Sequence, residues 1–86
     1  MWHVYILQCN DKSLYTGITT DLVRRIEEHN NSDLGAKYTR CRRPVELVYS
    51  QKLKNKIQAC KEEYRIKKLS REEKINLILS SNHIKL

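Results

Sequence analysis

Glycine and proline are almost missing: two Gly and one Pro in 86 residues. A collagen-like repeat or a low-complexity linker cannot be built from so few. Apolar runs are only a few residues long, far short of the roughly 20 that a membrane-spanning helix needs. Met1-Trp2-His3-Val4 has no basic stretch, no long apolar region and no small-residue cleavage site, so no secretory signal is expected. Cys9, Cys41 and Cys60 are widely spaced without a C-x-x-C, and His3, His29 and His83 form no ligand pair with them. A disulfide framework and a structural zinc site are thereby excluded, and three buried or half-buried thiols are expected. Also missing are a Ser-His-Asp order, a P-loop, an H-E-x-x-H and a dinucleotide fingerprint. The expectation is a cytoplasmic protein without a membrane partner.

Hydrophobic residues make up 40% and charged residues 31%, a folded-protein composition that suits one domain over residues 1–86 with a small core. Lys and Arg number 17 against 10 Asp and Glu, for a net charge of +7. The excess is uneven. Residues 37–74 hold thirteen Lys/Arg and five Glu, whereas the remainder holds four basic and five acidic groups. A small domain this basic suits a polyanion, nucleic acid first. Lys37-Tyr38-Thr39-Arg40-Cys41-Arg42-Arg43 concentrates the signal. Lys37, Arg40, Arg42 and Arg43 suit phosphate contacts, and Tyr38 offers a stacking surface between them.

Residues 2–9 are rich in β-branched and aromatic types and predict a strand. Asn10-Asp11-Lys12-Ser13 is turn chemistry, and Leu14 to Thr20 returns as a second strand. Gly17 inside that strand predicts a bulge or a close approach. Residues 21–30 form an amphipathic helix, capped by Thr20 or Asp21 and ended by Asn30-Asn31. A polar loop over 31–44, with room for one helical turn, is closed by Pro44. Val45 to Ser50 is a third strand. Asn55 with Gln58, and Ser70 with Glu73, are capping boxes opening two further helices, the first running to about Leu69. The last helix is expected to bury Ile75, Ile78 and Leu79. The fold class is α+β, a small three-stranded antiparallel sheet flanked by helices in the order β-β-α-β-α-α.

Five residues stand out for chemistry. Tyr5 and Tyr15 sit on paired strands, and Arg25 and His29 are four apart on one helix face. Glu63 lies between Ala59 and Ile66 on a mostly apolar stripe, where a carboxylate is costly unless it is paired or bound to a cation. Each has an ordinary explanation alone: tyrosines fill small cores, Arg25 can pair with Glu28, and Glu63 with Lys67. Together they supply the parts of phosphodiester hydrolysis. An arginine holds the phosphate, one carboxylate with water and phosphate oxygens fills the shell of Mg²⁺, and a tyrosine or histidine takes a proton from water.

His3-Val4-Tyr5 followed by Tyr15-Thr16-Gly17 resembles the paired signature of the GIY-YIG nuclease superfamily. The order is Tyr5, nine residues, Tyr15, one residue, Gly17, seven residues, Arg25, three residues, His29, then Glu63. Residues 35–40, 43–49 and 59–67 resemble the small stand-alone members. That resemblance implies metal-dependent cleavage of nucleic acid, DNA more than RNA, of low sequence specificity, with a protein partner supplying any target choice. It implies that Glu63 binds one Mg²⁺ or Mn²⁺, that Arg25 stabilises the scissile phosphate, and that Tyr5 or Tyr15, helped by His29, activates water. Gly17 matches the glycine that lets the chain pass close to the site. The competing reading is a nucleic-acid-binding module of the same fold without turnover, which needs the basic loop but not Glu63.

One geometric question stays open. A two-residue Asp11-Lys12 turn would pair Tyr15 with Gln8 and Tyr5 with Ile18, sending the two tyrosines to opposite faces. A shared site needs a longer loop or a bulge, and Gly17 offers one.

Overall fold

A computed structural model of the chain describes residues 1–32 and 34–80; Asp33 and residues 81–86, His83 among them, lie outside the described residues. Strands β1 (Trp2–Gln8), β2 (Leu14–Thr19) and β3 (Glu46–Leu53) form one antiparallel sheet in the order β2-β1-β3. The helices are α1 (Leu22–Asn31), α2 (Lys37–Arg40), α3 (Lys56–Lys67) and α4 (Arg71–Ser80). The expected class and order of elements hold, and α2 is the single turn for which the polar loop had room. No helix among the described residues is long and apolar enough to cross a membrane.

The β1–β2 connection answers the open question with the longer loop. Cys9 N donates to Ser13 O at 2.9 Å and Lys12 N to Cys9 O at 2.9 Å, leaving a three-residue loop, Asn10 to Lys12. Lys12 takes φ 73°, the left-handed conformation that closes a three-residue hairpin. Asp11 Oδ1 accepts from the backbone N and hydroxyl of Ser13, locking the turn. The extra loop residue shifts the register by one. Tyr5 now opposes Gly17, and Leu7 opposes Tyr15. Tyr5, Tyr15 and Gly17 therefore share a face. Gly17 is not a bulge; the sheet's irregularity lies between Ile6 and Leu7 against β3.

Alternation along β1 divides the core in two. Val4 and Ile6 join Val48, Tyr49, Ile66 and Ile78 in one cluster, under α3 and α4. Tyr5, Leu7, Cys9 and Val45 form the other, closed by Leu22 and Ile26 of α1. The capping residues work as the sequence suggests. Asp21 Oδ1 accepts from Arg24 N, Asn55 Oδ1 from Gln58 N, and Ser70 and Glu73 exchange two hydrogen bonds.

Helix α1 ends at Asn31, within the Asn30-Asn31 pair expected to close it, and the Asn30 amide exchanges two hydrogen bonds with the Val45 backbone, tying α1 to the start of β3. Two expectations are corrected. In α4 only Ile78 is buried; it forms the floor of an open groove of about 280 Å³ beside Leu14 and Val48, while Ile75 and Leu79 line the same groove and stay exposed. Of the three thiols only Cys9 is buried; Cys41 and Cys60 are exposed.

Candidate active site

Tyr5, His29 and Thr39 are almost completely buried and hydrogen-bonded in a row. Tyr5 Oη lies 2.9 Å from His29 Nε2, and His29 Nδ1 lies 2.9 Å from Thr39 Oγ1. Thr39 Oγ1 donates to Ala36 O at 3.0 Å. A carbonyl only accepts, so the single hydroxyl proton of Thr39 is committed to Ala36. Thr39 must then accept from His29, which puts the imidazole proton on Nδ1. Nε2 is left as an acceptor, and Tyr5 donates its phenolic proton to it. Thr39 was not among the residues singled out from the sequence. No local signal marks it, since the contact joins α2 to α1 across ten residues of chain.

Tyr15 completes an aromatic cluster. Its ring stands 5.2 Å from His29 and 6.5 Å from Tyr5, centroid to centroid. Gly17 makes room for these rings. A Cβ there would stand 2.6 Å from Tyr5 Oη and 3.2 Å from the Tyr15 ring. Close approach is therefore the role of this glycine.

Arg25 borders the cluster from α1. One guanidinium nitrogen, Nη1, donates to Glu28 Oε1 at 2.7 Å and to Leu34 O at 2.8 Å. Arg24 reaches the same carboxylate only at 3.6 Å and is far more exposed. An open groove of about 270 Å³ runs past Arg25, lined also by Trp2, Ile18 and Thr20. Burial pushes the Tyr5 phenol up to about 12; the adjacent Arg25 pulls it down, and Tyr15 and Glu63 add to the rise. Burial also pushes His29 down to about 4, helped by the charges of Arg25 and Arg43 and opposed by Glu28. At neutral pH the pair is a neutral phenol donating to a neutral imidazole.

That depressed histidine links stability to pH. The unfolded chain takes up the His29 proton near 6.5 and the folded chain only near 4. Between those values the unfolded state binds more protons. Stability is therefore expected to be flat above about pH 6.5 in this respect and to fall as pH drops towards about 4. Urea midpoints across that range should fall more steeply in the wild type than in His29→Asn, and parallel curves would refute a neutral buried imidazole.

The basic run divides by role. Arg43 Nε donates to His29 O at 2.6 Å, and Nη2 donates to Ser32 O at 2.6 Å and Glu28 O at 3.4 Å, covering the carbonyls at the C-terminal end of α1. Arg42 donates to Asp11 Oδ2 and to Tyr38 O, with its guanidinium carbon 4.1 Å from the Tyr38 ring centroid. The Tyr38 ring also stacks on Tyr15 at 5.9 Å and is 40% exposed. Lys37 and Arg40 stand exposed on α2.

Glu63 stands apart from the hydrogen-bonded row. Its carboxylate pairs with Lys67 Nζ at 3.0 Å, and its connection to the cluster is through its charge, which opposes ionisation of Tyr5. Ala59 and Ile66 beside it are fully buried.

The chain matches the family described as the GIY-YIG catalytic domain over residues 1–76. It belongs to the GIY-YIG nuclease family. It is 55% identical over 80 residues to a UPF0213 protein of Desulfotalea psychrophila, covering 93% of this chain and 73% of that one. A UPF0213 protein of Clostridium perfringens is 56% identical over 82 residues, covering 95% and 87%. Among solved structures, the NMR structure of a UPF0213 protein from Bacillus halodurans is similar with a TM-score of 0.58 and 49% identity, covering 91% of this chain and 83% of that one.

The donors of this GIY-YIG domain can be tested against the divalent cation that its family generally uses. No group of three or more His, Cys, Asp or Glu side chains that could hold a metal occurs among the described residues. Glu63 is a single hard carboxylate whose partner is a half-exposed lysine. That set fits Mg²⁺ or Mn²⁺, which keep water and share substrate phosphate oxygens, and does not fit a cage made wholly of protein ligands.

Proposed function

We propose that this protein is a metal-dependent endonuclease that hydrolyses phosphodiester bonds of nucleic acid, DNA rather than RNA, with little sequence preference. The observation that carries this reading is the buried hydrogen bond between Tyr5 and His29 beside a partly desolvated Arg25. The pair supplies the proton path that hydrolysis needs and that binding alone does not require. Glu63 is the residue that would hold the divalent cation, which when bound supplies charge neutralisation at the phosphate.

Arg25 is aligned by Glu28 and Leu34 O, and its remaining N–H groups bind the phosphate. Tyr5 is the group that meets the attacking water. Its phenol is protonated at neutral pH, so it acts as a relay rather than as a preformed phenolate. As the water oxygen bonds to phosphorus, a water proton passes to Tyr5 Oη and the Tyr5 proton passes to His29 Nε2. The bond from phosphorus to the leaving oxygen breaks, and that oxygen takes a proton from solvent. A phosphate on Arg25 also cancels part of the charge that weakens His29, so substrate raises the basicity of its own proton acceptor. Tyr15 holds the imidazole edge and buttresses Tyr38.

Nicking of supercoiled and branched DNA, in Mg²⁺ and in Mn²⁺, tests the proposal. Cleavage that needs the cation and is lost on chelation supports it. DNA bound without any cleavage in either metal would favour the binding-module reading instead.

Lys37 and Arg40 are proposed to hold flanking phosphates. Replacing both with Gln should weaken binding to all sequences alike and flatten the salt slope by about 0.9 per lost duplex-phosphate contact. Arg43→Gln should behave differently, because its guanidinium serves the end of α1. Loss of hydrogen bonds to a charged group predicts about 1.5–3 kcal/mol lower stability in urea unfolding, with the salt slope unchanged. A stable Arg43→Gln with a flattened slope would reverse the two roles.

A further inference from the structure

We infer that Thr39 is a positioning residue that fixes the tautomer of His29 and so determines which way the Tyr5 proton can move. The inference deepens the nuclease reading and rests on it for its consequence in catalysis. It rests for its geometry on three buried groups and one carbonyl.

A neutral imidazole carries its proton on either nitrogen, and only the tautomer with a bare Nε2 can receive a proton from Tyr5. With the proton on Nε2, Tyr5 Oη would have to accept instead, and its own proton would turn away from the imidazole. The proton flow from water through Tyr5 to His29 would then be closed. What excludes that arrangement is the commitment of the Thr39 hydroxyl proton to Ala36 O at 3.0 Å. The oxygen of Thr39 is then purely an acceptor towards Nδ1 at 2.9 Å. His29 and Thr39 are both fully buried, so on the Nδ1 side no water substitutes for the missing partner.

The arrangement depends on how closely α2 lies on α1. Gly35 makes that approach possible. A Cβ there would stand 2.6 Å from Glu28 O and 2.8 Å from His29 Cα, both backbone atoms. Ala36, whose carbonyl accepts from the Thr39 hydroxyl, follows at the N-cap position of α2, and Thr39 N also donates to Ala36 O at 3.1 Å. One peptide carbonyl thus anchors both the helical turn and the hydroxyl that orients the histidine.

The test is long-range ¹H–¹⁵N correlation of the His29 ring in the ¹⁵N-labelled full chain at neutral pH, for wild type, Thr39→Val and Thr39→Ser, beside single-turnover DNA cleavage. Expected are a protonated Nδ1 and a bare Nε2 in the wild type and in Thr39→Ser. In Thr39→Val, which keeps the shape and loses the acceptor, the proton should redistribute to Nε2. Cleavage by Thr39→Val should fall on the order of 10²-fold, the scale of a positioned proton acceptor, with DNA affinity retained and Thr39→Ser active. A wild-type His29 protonated on Nε2 would overturn the inference, and so would an unchanged tautomer in Thr39→Val. A changed tautomer with undiminished cleavage would overturn the positioning role while leaving the nuclease reading intact. A wild type that never cleaves would defeat the nuclease reading alone, and the nitrogen shifts would then decide Thr39 by themselves. If Thr39→Val does not fold, the wild-type and Thr39→Ser spectra still decide the assignment.

Discussion

Glu63→Gln is expected to abolish cleavage while leaving DNA affinity near that of the wild type. The amide preserves the shape of the side chain and loses the charge that holds a divalent cation. The present partner of the carboxylate is no obstacle to that role. Lys67 reaches it at 3.0 Å from a side chain that is 53% exposed. An exposed i,i+4 pair contributes about 0–1 kcal/mol, so a divalent cation with phosphate oxygens to share displaces the lysine readily. Lys67→Gln is accordingly expected to remain active. Parallel nicking and binding assays over a range of Mg²⁺ concentrations check both variants. Wild-type cleavage by Glu63→Gln at saturating Mg²⁺ would remove Glu63 from the metal site.

Arg25→Lys should be nearly as damaging, and Arg24→Lys close to neutral. The two arginines are neighbours in sequence and share Glu28, but their environments differ. Arg25 is 24% exposed and Arg24 58% exposed. Arg25 spans Glu28, the carbonyl of Leu34 and the neighbourhood of Tyr5 with one planar fork. A lysine keeps the charge but cannot serve these partners and a phosphate in fixed geometry. Loss of one donor aimed at developing charge costs on the order of 10²–10³ in rate. Arg24 makes a long, exposed ion pair that a lysine can replace. Single-turnover cleavage by both variants, with circular dichroism as the check on folding, distinguishes them. Equal activity of the two, or a crippled Arg24→Lys, would mean that the phosphate lies elsewhere.

The groups of the proposed reaction come from separate parts of the chain: β1 and β2 carry the tyrosines, α1 the arginine and histidine, α2 the threonine and α3 the glutamate. The convergence of the groups on β1, β2, α1 and α2 depends on small features with little chemistry of their own. Gly17 leaves room for Tyr5 Oη, Gly35 lets α2 rest on α1, and Asn30 ties α1 to β3. The basic run illustrates the same point from the other side. Its charge suggests one uniform contact surface, yet Arg43 is bound to the end of α1 and Arg42 to Asp11 and Tyr38. An arginine has donors enough for carbonyls as well as phosphates, and composition does not say which it meets.

The sequence by itself determined the α+β class, the order of strands and helices, the caps at Asp21, Asn55 and Ser70, and the spacing of Tyr5, Tyr15, Arg25, His29 and Glu63. These are legible because propensity, alternation and capping act within a few residues of chain. Tertiary structure alone decided that the two tyrosines share a face. Asn10-Asp11-Lys12-Ser13 signals a turn without stating its length, and one loop residue more, with Lys12 at φ 73°, reverses every side chain of the return strand. It also decided the direction of the proton. Thr39 approaches His29 across ten residues of chain, and the hydrogen-bond order among them follows from burial and from which atoms can donate, neither of which is written in local sequence.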